Sequence, residues 1–155
     1  MSVLKKDRHN SQIQYVYNAW LMEKEGIHFL FKISKRLRDL FCPILVESLS
    51  QIATYTARAS EFYRKELSKV EVESHHHYLL EAYASLQSFD SQVTMLYDLV
   101  NENPGGSFEK DLSEKDARRK LDHTVEVLGA LISEEMKLLE DELEKARQAL
   151  EKFST

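Results

Sequence analysis

Glu25-Gly-Ile-His28 and Glu73-Ser-His-His76 both carry the Glu-x-x-His spacing. Carboxylate-bridged metal bundles place that pair on two helices and take one further glutamate from each of the other two. Glu47, Glu61 and Glu126 are available for the second part. Two arguments weigh against such a centre. With 18 Glu and 6 His in the chain, chance alone supplies pairs at this spacing. On a helix whose core residue is Ile27, Glu25 sits roughly 200° away and His28 about 100° away, so neither projects inward. No metal and no cofactor are expected. The single cysteine, Cys42, excludes an internal disulfide and an all-cysteine metal site. A lone thiol fits a reducing compartment, so a cytoplasmic location is expected. With no histidine close to it in sequence, Cys42 reads as a buried structural residue rather than a nucleophile.

Phosphate chemistry is the other possibility the residues raise. The Arg-x-x-x-x-His spacing from Arg118 to His123 resembles the motif of helical ribonucleases of the HEPN type. That resemblance implies an arginine and a histidine stabilising and protonating a scissile phosphate. Arg119, however, stands where that family places a small polar residue, and a basic first turn on a helix explains the same letters. His123 could also be a phosphorylatable histidine, but LDHTVEVLG lacks the Lys-Gly that phosphotransfer helices place just after it. No Gly-rich phosphate loop and no Ser-His-Asp order is present. A non-enzyme is expected. Charge is unevenly spread: residues 1–70 carry 12 Lys/Arg against 7 Asp/Glu, although the whole chain is −5. KISKRLR (32–38) is the densest basic patch, which makes Lys32, Lys35, Arg36 and Arg38 the candidate contacts for an acidic partner. The simpler reading of the same patch is a solvated helix face.

These residues have to be positioned by helices. Only 4 Gly and 2 Pro punctuate 155 residues, and no stretch alternates as a strand would. FCP (41–43) and NENPGGSF (101–108) are the breakers, with a softer boundary near 69–74. They divide a single domain, 1–155, into helices at about 10–41, 44–70, 72–101 and 113–153, with a loop at 101–112. The expected stripes run Ile13, Val16, Trp20, Ile27, Leu30, Leu37, Phe41, then Leu45, Leu49, Ile52, Thr56, Ala59, Tyr63, Val70. Leu79, Ala82, Leu86, Phe89, Val93, Leu96 and Val100 step by 3,4,3,4,3,4, and the stripe extends back through His75 and Val72. His75 therefore continues the core edge, while His76 and His77 turn outward and Glu73 can pair with His77. The last segment opens with an approximate capping box, Ser113 to Asp116. Its stripe runs Leu121, Val125, Leu128, Ile132, Leu139, Leu143, Ala146, Leu150, Phe153. The architecture predicted is an all-α, up-down-up-down four-helix bundle with an extended C-terminal helix. That helix would run roughly 60 Å at 1.5 Å per residue. Leu139, Leu143, Ala146 and Leu150 on its overhang are candidate oligomer contacts, unless a long first helix covers them. Tyr15, Tyr17, Tyr55, Tyr78, Tyr83 and Tyr97 flank the stripes, as interface tyrosines do. No run approaches the ~20 apolar residues of a membrane span, and MSVLKKDRHNSQIQ lacks the apolar core of a secretory signal.

YLLEAYASLQSFDSQVTMLYDL (78–99) resembles the third helix of the small proteins encoded in intervening sequences of bacterial 23S ribosomal RNA genes. Ala82, Ser85, Leu86, Asp98 and Leu99 match by type. LSQIATYTARA (49–59) is similar to that family's second helix and LSEKDARRKLDHTVEVLGALI (112–132) to its fourth. RASEFYRKE (58–66) replaces the segment that closes the second helix there, and the acidic tail from 134 is extra. Accessory variability proteins of diversity-generating retroelements share the fold. The resemblance covers roughly 15–133 and implies a homopentameric bundle. Its retroelement branch implies a basic surface that contacts reverse transcriptase and RNA. The function expected is a non-enzymatic interaction or assembly protein acting as a homo-oligomer, with a possible protein partner. The alternatives are a nucleic-acid-associated accessory factor using the basic first half, and a metal-dependent or ribonuclease-like enzyme.

Overall fold

The computed structural model describes residues 13–63, 66–103, 106–108 and 113–154. Four helices fill them: α1 (Gln14–Lys32), α2 (Lys35–Ser60), α3 (Lys69–Glu102) and α4 (Glu114–Glu151). α1 packs on α2 and α4, and α3 packs on the same two. The helices therefore stand at the corners of a square in up-down-up-down order, an all-α four-helix bundle. The start expected for the first helix (10–12) and part of the expected loop (104–105, 109–112) lie outside the described residues.

Two starts are set by serines. Ser68 accepts a hydrogen bond from the Glu71 N–H (3.2 Å), and Glu71 accepts one from the Ser68 N–H (3.1 Å), a reciprocal capping box that opens α3. Ser113 accepts from the Asp116 N–H at 3.2 Å and opens α4.

The first helix boundary is not where Pro43 would put it. α1 stops at Lys32, and Ile33 and Ser34 are extended. No Gly or Pro marks this break; tertiary packing makes it. Ile33 and Phe108, both buried, form an isolated antiparallel bridge, and the Ser34 N–H donates to the Ser107 carbonyl at 2.7 Å. Pro43 instead lies inside α2 and is exposed. The carbonyl that loses its partner there can turn to water.

The stripes of α2 (Leu45 to Ala59) and α3 are buried as their spacing predicts, with Val93 half-buried and Val72 and His75 continuing the α3 face inward. Tyr63 and Val70 are exposed and fall outside α2. α1 meets expectation only in part: Leu30 is buried and Ile13 and Val16 pack against the core, but the rest of its inward face was not expected. Its inward residues are Tyr15, Asn18, Ala19, Met22, Gly26, Phe29 and Leu30, while Trp20 is 52% exposed and Val16 and Ile27 are half-buried. Gly26 faces the core, and a Cβ added there would lie 2.8 Å from Leu49 Cδ1, so a larger residue requires the Leu49 side chain to shift.

Along α4, Leu121, Leu128, Ile132, Leu139 and Ala146 are buried, whereas Val125 and Phe153 are exposed. The core position between Ile132 and Leu139 is Glu135, which is 0% exposed. α4 has 38 residues, but its last turns do not overhang. α3 has 34 residues and begins early enough for Val72 and His75, with Phe62, Tyr63 and Leu67 before them, to line the same groove as Ala146. The described part of α1 begins at Gln14.

Candidate functional site

The break at 33–34 divides the KISKRLR patch. Lys32 is the last residue of α1, while Lys35, Arg36 and Arg38 begin α2. Lys35 makes a 2.7 Å ion pair with Asp39 on its own helix, both well exposed. The four cations therefore do not share one helix face, a correction to the sequence reading.

Lys32 gains different company. Because α1 runs up and α4 runs down, its end meets the second and third turns of α4. Lys32, Phe108, Arg119, Lys120, His123 and Thr124 line one cleft of about 290 Å³. Three of the six are permanent cations, one is an imidazole and none is a carboxylate. Phe108, buried by its bridge to Ile33, supplies an apolar wall. Arg119 lies 3.8 Å from Asp116, beyond hydrogen-bond distance, and is largely exposed. The Thr124 hydroxyl donates to the Lys120 carbonyl at 3.0 Å, a local bond that holds this turn of α4. A smaller adjoining recess of about 40 Å³ shares Lys32, His123 and Thr124 and adds Glu25 and His28.

This geometry revises the arginine–histidine spacing. Arg118 donates to Asn101 Oδ1 at 2.6 Å, which ties α4 to the end of α3. It is Arg119, four residues before His123 and so on the same helix side, that shares the cleft. Arg119 and Lys120 were the missing members. The run Arg118-Arg119-Lys120 was the available signal.

A second polar group lies inside the bundle. Asn18 on α1 donates to the Leu131 carbonyl (2.9 Å) and, at 3.5 Å, to Glu135 Oε1. Glu135 Oε2 and the Tyr15 hydroxyl are buried with no hydrogen-bond partner of good geometry among the described residues. Burial disfavours the charged carboxylate and pushes the Glu135 pKa up to about 8, so at neutral pH it is held largely protonated. Tyr15, unlike the interface tyrosine expected, is 2% exposed, and burial raises its pKa far above the ordinary value. Tyr63 donates to Glu142 at 2.8 Å. His75 Nδ1 lies 2.8 Å from the Ala59 carbonyl, its ring among Phe62 and Tyr63, and burial lowers its pKa. His76 is half-buried and His77 exposed; His77 lies against the Tyr78 ring rather than pairing with Glu73.

Among the described residues no three His, Cys, Asp or Glu converge so as to hold a metal ion. Glu47, Glu61, Glu73 and Glu126 face solvent, and Cys42 is a half-buried free thiol. Of the four residues expected on an oligomer surface, Leu139 (0% exposed) and Ala146 (4%) belong to the chain's own core, and Leu143 and Leu150 are half-buried. The first two have no surface to offer a partner. No described helix is long and apolar enough to cross a membrane. No family model, curated protein or solved structure matches this chain.

Proposed function

We propose that this chain is a non-catalytic helical interaction and assembly protein that works as a homo-oligomer. The observation that supports this reading is the outer face of α1. Trp20, Ile27 and Phe31 follow steps of seven and four, which places them on one side of the helix. That side lies roughly 130° around from the inward set of Ala19, Met22, Gly26 and Phe29. A helix apolar on two faces is normally buried on both, yet among the described elements α2 and α4 are the ones that pack on this one.

The outer face is also ordered. Tyr17 stacks on Trp20 with ring centroids 6.1 Å apart, and Lys24 Nζ sits 5.4 Å from the Trp20 ring centroid. Tyr17, Trp20 and Phe31 are each about half exposed or more, together roughly 300 Å² of aromatic surface. That is the size of the largest apolar patch on a typical monomer, and such patches are often functional. A second copy of the chain is the occupant we assign. With the half-buried Ile27 and neighbouring side-chain stems added, two such faces supply about half or more of the roughly 1,200 Å² at which stable interfaces begin. Pre-stacked aromatic rings lose little freedom on docking. The resemblance to the intervening-sequence proteins would add five-fold symmetry to this proposal. Light scattering on the eluting protein tests it: Trp20→Glu should reduce the assembly to single chains while leaving the helical content and melting temperature of each chain in place.

A second reading is a nucleic-acid-associated accessory factor. It draws on the gathering of Lys32, Lys35, Arg36 and Arg38 with Arg118, Arg119 and Lys120 at one end of the bundle.

A further inference from the structure

We infer that the cleft between the end of α1 and the second and third turns of α4 is a binding site for the phosphate group of a small phosphomonoester. The reasoning does not depend on self-association. Lys32 arrives from α1, Arg119, Lys120 and His123 from α4, and Phe108 from the segment that precedes α4. Three elements thus bring three permanent positive charges and one imidazole to a single concave space, with no carboxylate among the described residues that line it.

Charge count and shape narrow the ligand. Like charges gathered in a partly enclosed recess repel one another, and an anion there removes that repulsion. A carboxylate carries one charge and is satisfied by one guanidinium fork, whereas a phosphomonoester carries up to two and offers three terminal oxygens. Arg119 can present a fork, and Lys32 and Lys120 are point charges suited to the remaining oxygens. Neither lysine nor His123 makes a hydrogen bond or ion pair among the described residues, so their donors are available.

Size favours a small molecule over a nucleic-acid backbone. The cleft's 290 Å³ sits at the small end of ligand pockets, which run from about 300 to 1,000 Å³. A polynucleotide instead needs cations strung along a groove to follow successive phosphates. Two cations outside the cleft are engaged elsewhere. Lys35 is paired with Asp39, and Arg118 is turned to Asn101. Phe108 offers an apolar wall for the ester's organic part. Asp116 approaches the outer side of Arg119 at 3.8 Å, and Glu25 lines the adjoining recess of about 40 Å³ rather than the cleft itself.

Calorimetric titration of the full chain at low salt with inorganic phosphate, adenosine monophosphate and a short single-stranded oligonucleotide tests the assignment. Adenosine monophosphate should bind one per chain and shift the His123 ring resonances. Arg119→Ala with Lys120→Ala should weaken binding at least tenfold. Lys35→Ala with Arg36→Ala, which removes equal charge outside the cleft, should change it less than threefold. Lys120→Arg should retain it, which separates loss of a contact from loss of fold. The inference is overturned if neither phosphate nor adenosine monophosphate binds, or if both double variants weaken binding equally. It is also overturned if the oligonucleotide alone binds, because that result belongs to the nucleic-acid reading.

Discussion

Glu135→Gln should stabilise the bundle at neutral pH and by an amount that grows as pH rises. The glutamate side chain is 0% exposed, has one oxygen without a partner among the described residues and meets Asn18 only at 3.5 Å. Its folded pKa is raised from 4.5 to about 8. Between those values the folded chain holds a proton that the unfolded chain has released, so stability falls as pH rises through that window. Each pH unit inside it is worth about 1.4 kcal/mol. Between pH 5 and pH 8 the loss is therefore about 3 kcal/mol, a large part of the 5–15 kcal/mol typical of a domain. Glutamine keeps the shape and cannot ionise. Urea unfolding followed by circular dichroism, with both proteins measured at pH 5 and pH 8, isolates the effect because every other titrating group is common to both. The stability difference between variant and parent should widen by about 3 kcal/mol across that range. A difference that stays constant with pH would refute the reasoning and place Glu135 in contact with water.

The other side-chain predictions rest on each position's surroundings. Gly129→Ala should stabilise α4 by about 1 kcal/mol, since nothing lies within 4 Å of the added Cβ and helix propensity alone acts. Gly26→Ala, where the Cβ meets a buried Leu49, should instead cost about 1 kcal/mol net. Thermal melts of the pair with opposite signs are expected; equal signs would mean that α1 can move off α2. His75 should titrate below the ordinary value of 6.5 in an NMR pH series, since burial disfavours its charged form. The folded chain then holds fewer protons than the unfolded one, and the stability this group contributes is lost as pH falls below 6.5. A midpoint above 6.5 would contradict its placement.

Legibility in the sequence followed how many faces of each helix were apolar. α3 has one dominant apolar stripe, so Leu79 to Val100 and even His75 could be placed from spacing. α1 has two. The set Val16, Trp20, Ile27 looks like core, whereas the true core face includes Asn18 and Gly26, residues that no apolar pattern selects. Glu135 was hidden the same way, inside the seven-residue step from Ile132 to Leu139. The break after Lys32 carries no Gly or Pro because Ile33 and Phe108 create it from a distance. Pro43 carries the strongest helix-breaking signal and breaks nothing, being solvent-facing within α2. The Ser68–Glu71 capping box, by contrast, was present in the letters SKVE and needed only to be read. Of the cleft, Lys32 and His123 were visible as candidates. Their meeting with Arg119 and Lys120 depends on the antiparallel register of α1 and α4, which no local pattern encodes.

The most direct measurement is the native mass of the intact chain, beside that of Trp20→Glu. One chain weighs 18.1 kDa. Self-association through the outer face of α1 predicts a defined multiple of that mass for the parent and a single-chain mass for the variant, with both fully helical. A parent that remains at the single-chain mass at every concentration would contradict the account. So would an assembly that survives the Trp20 substitution, which would place its contacts elsewhere.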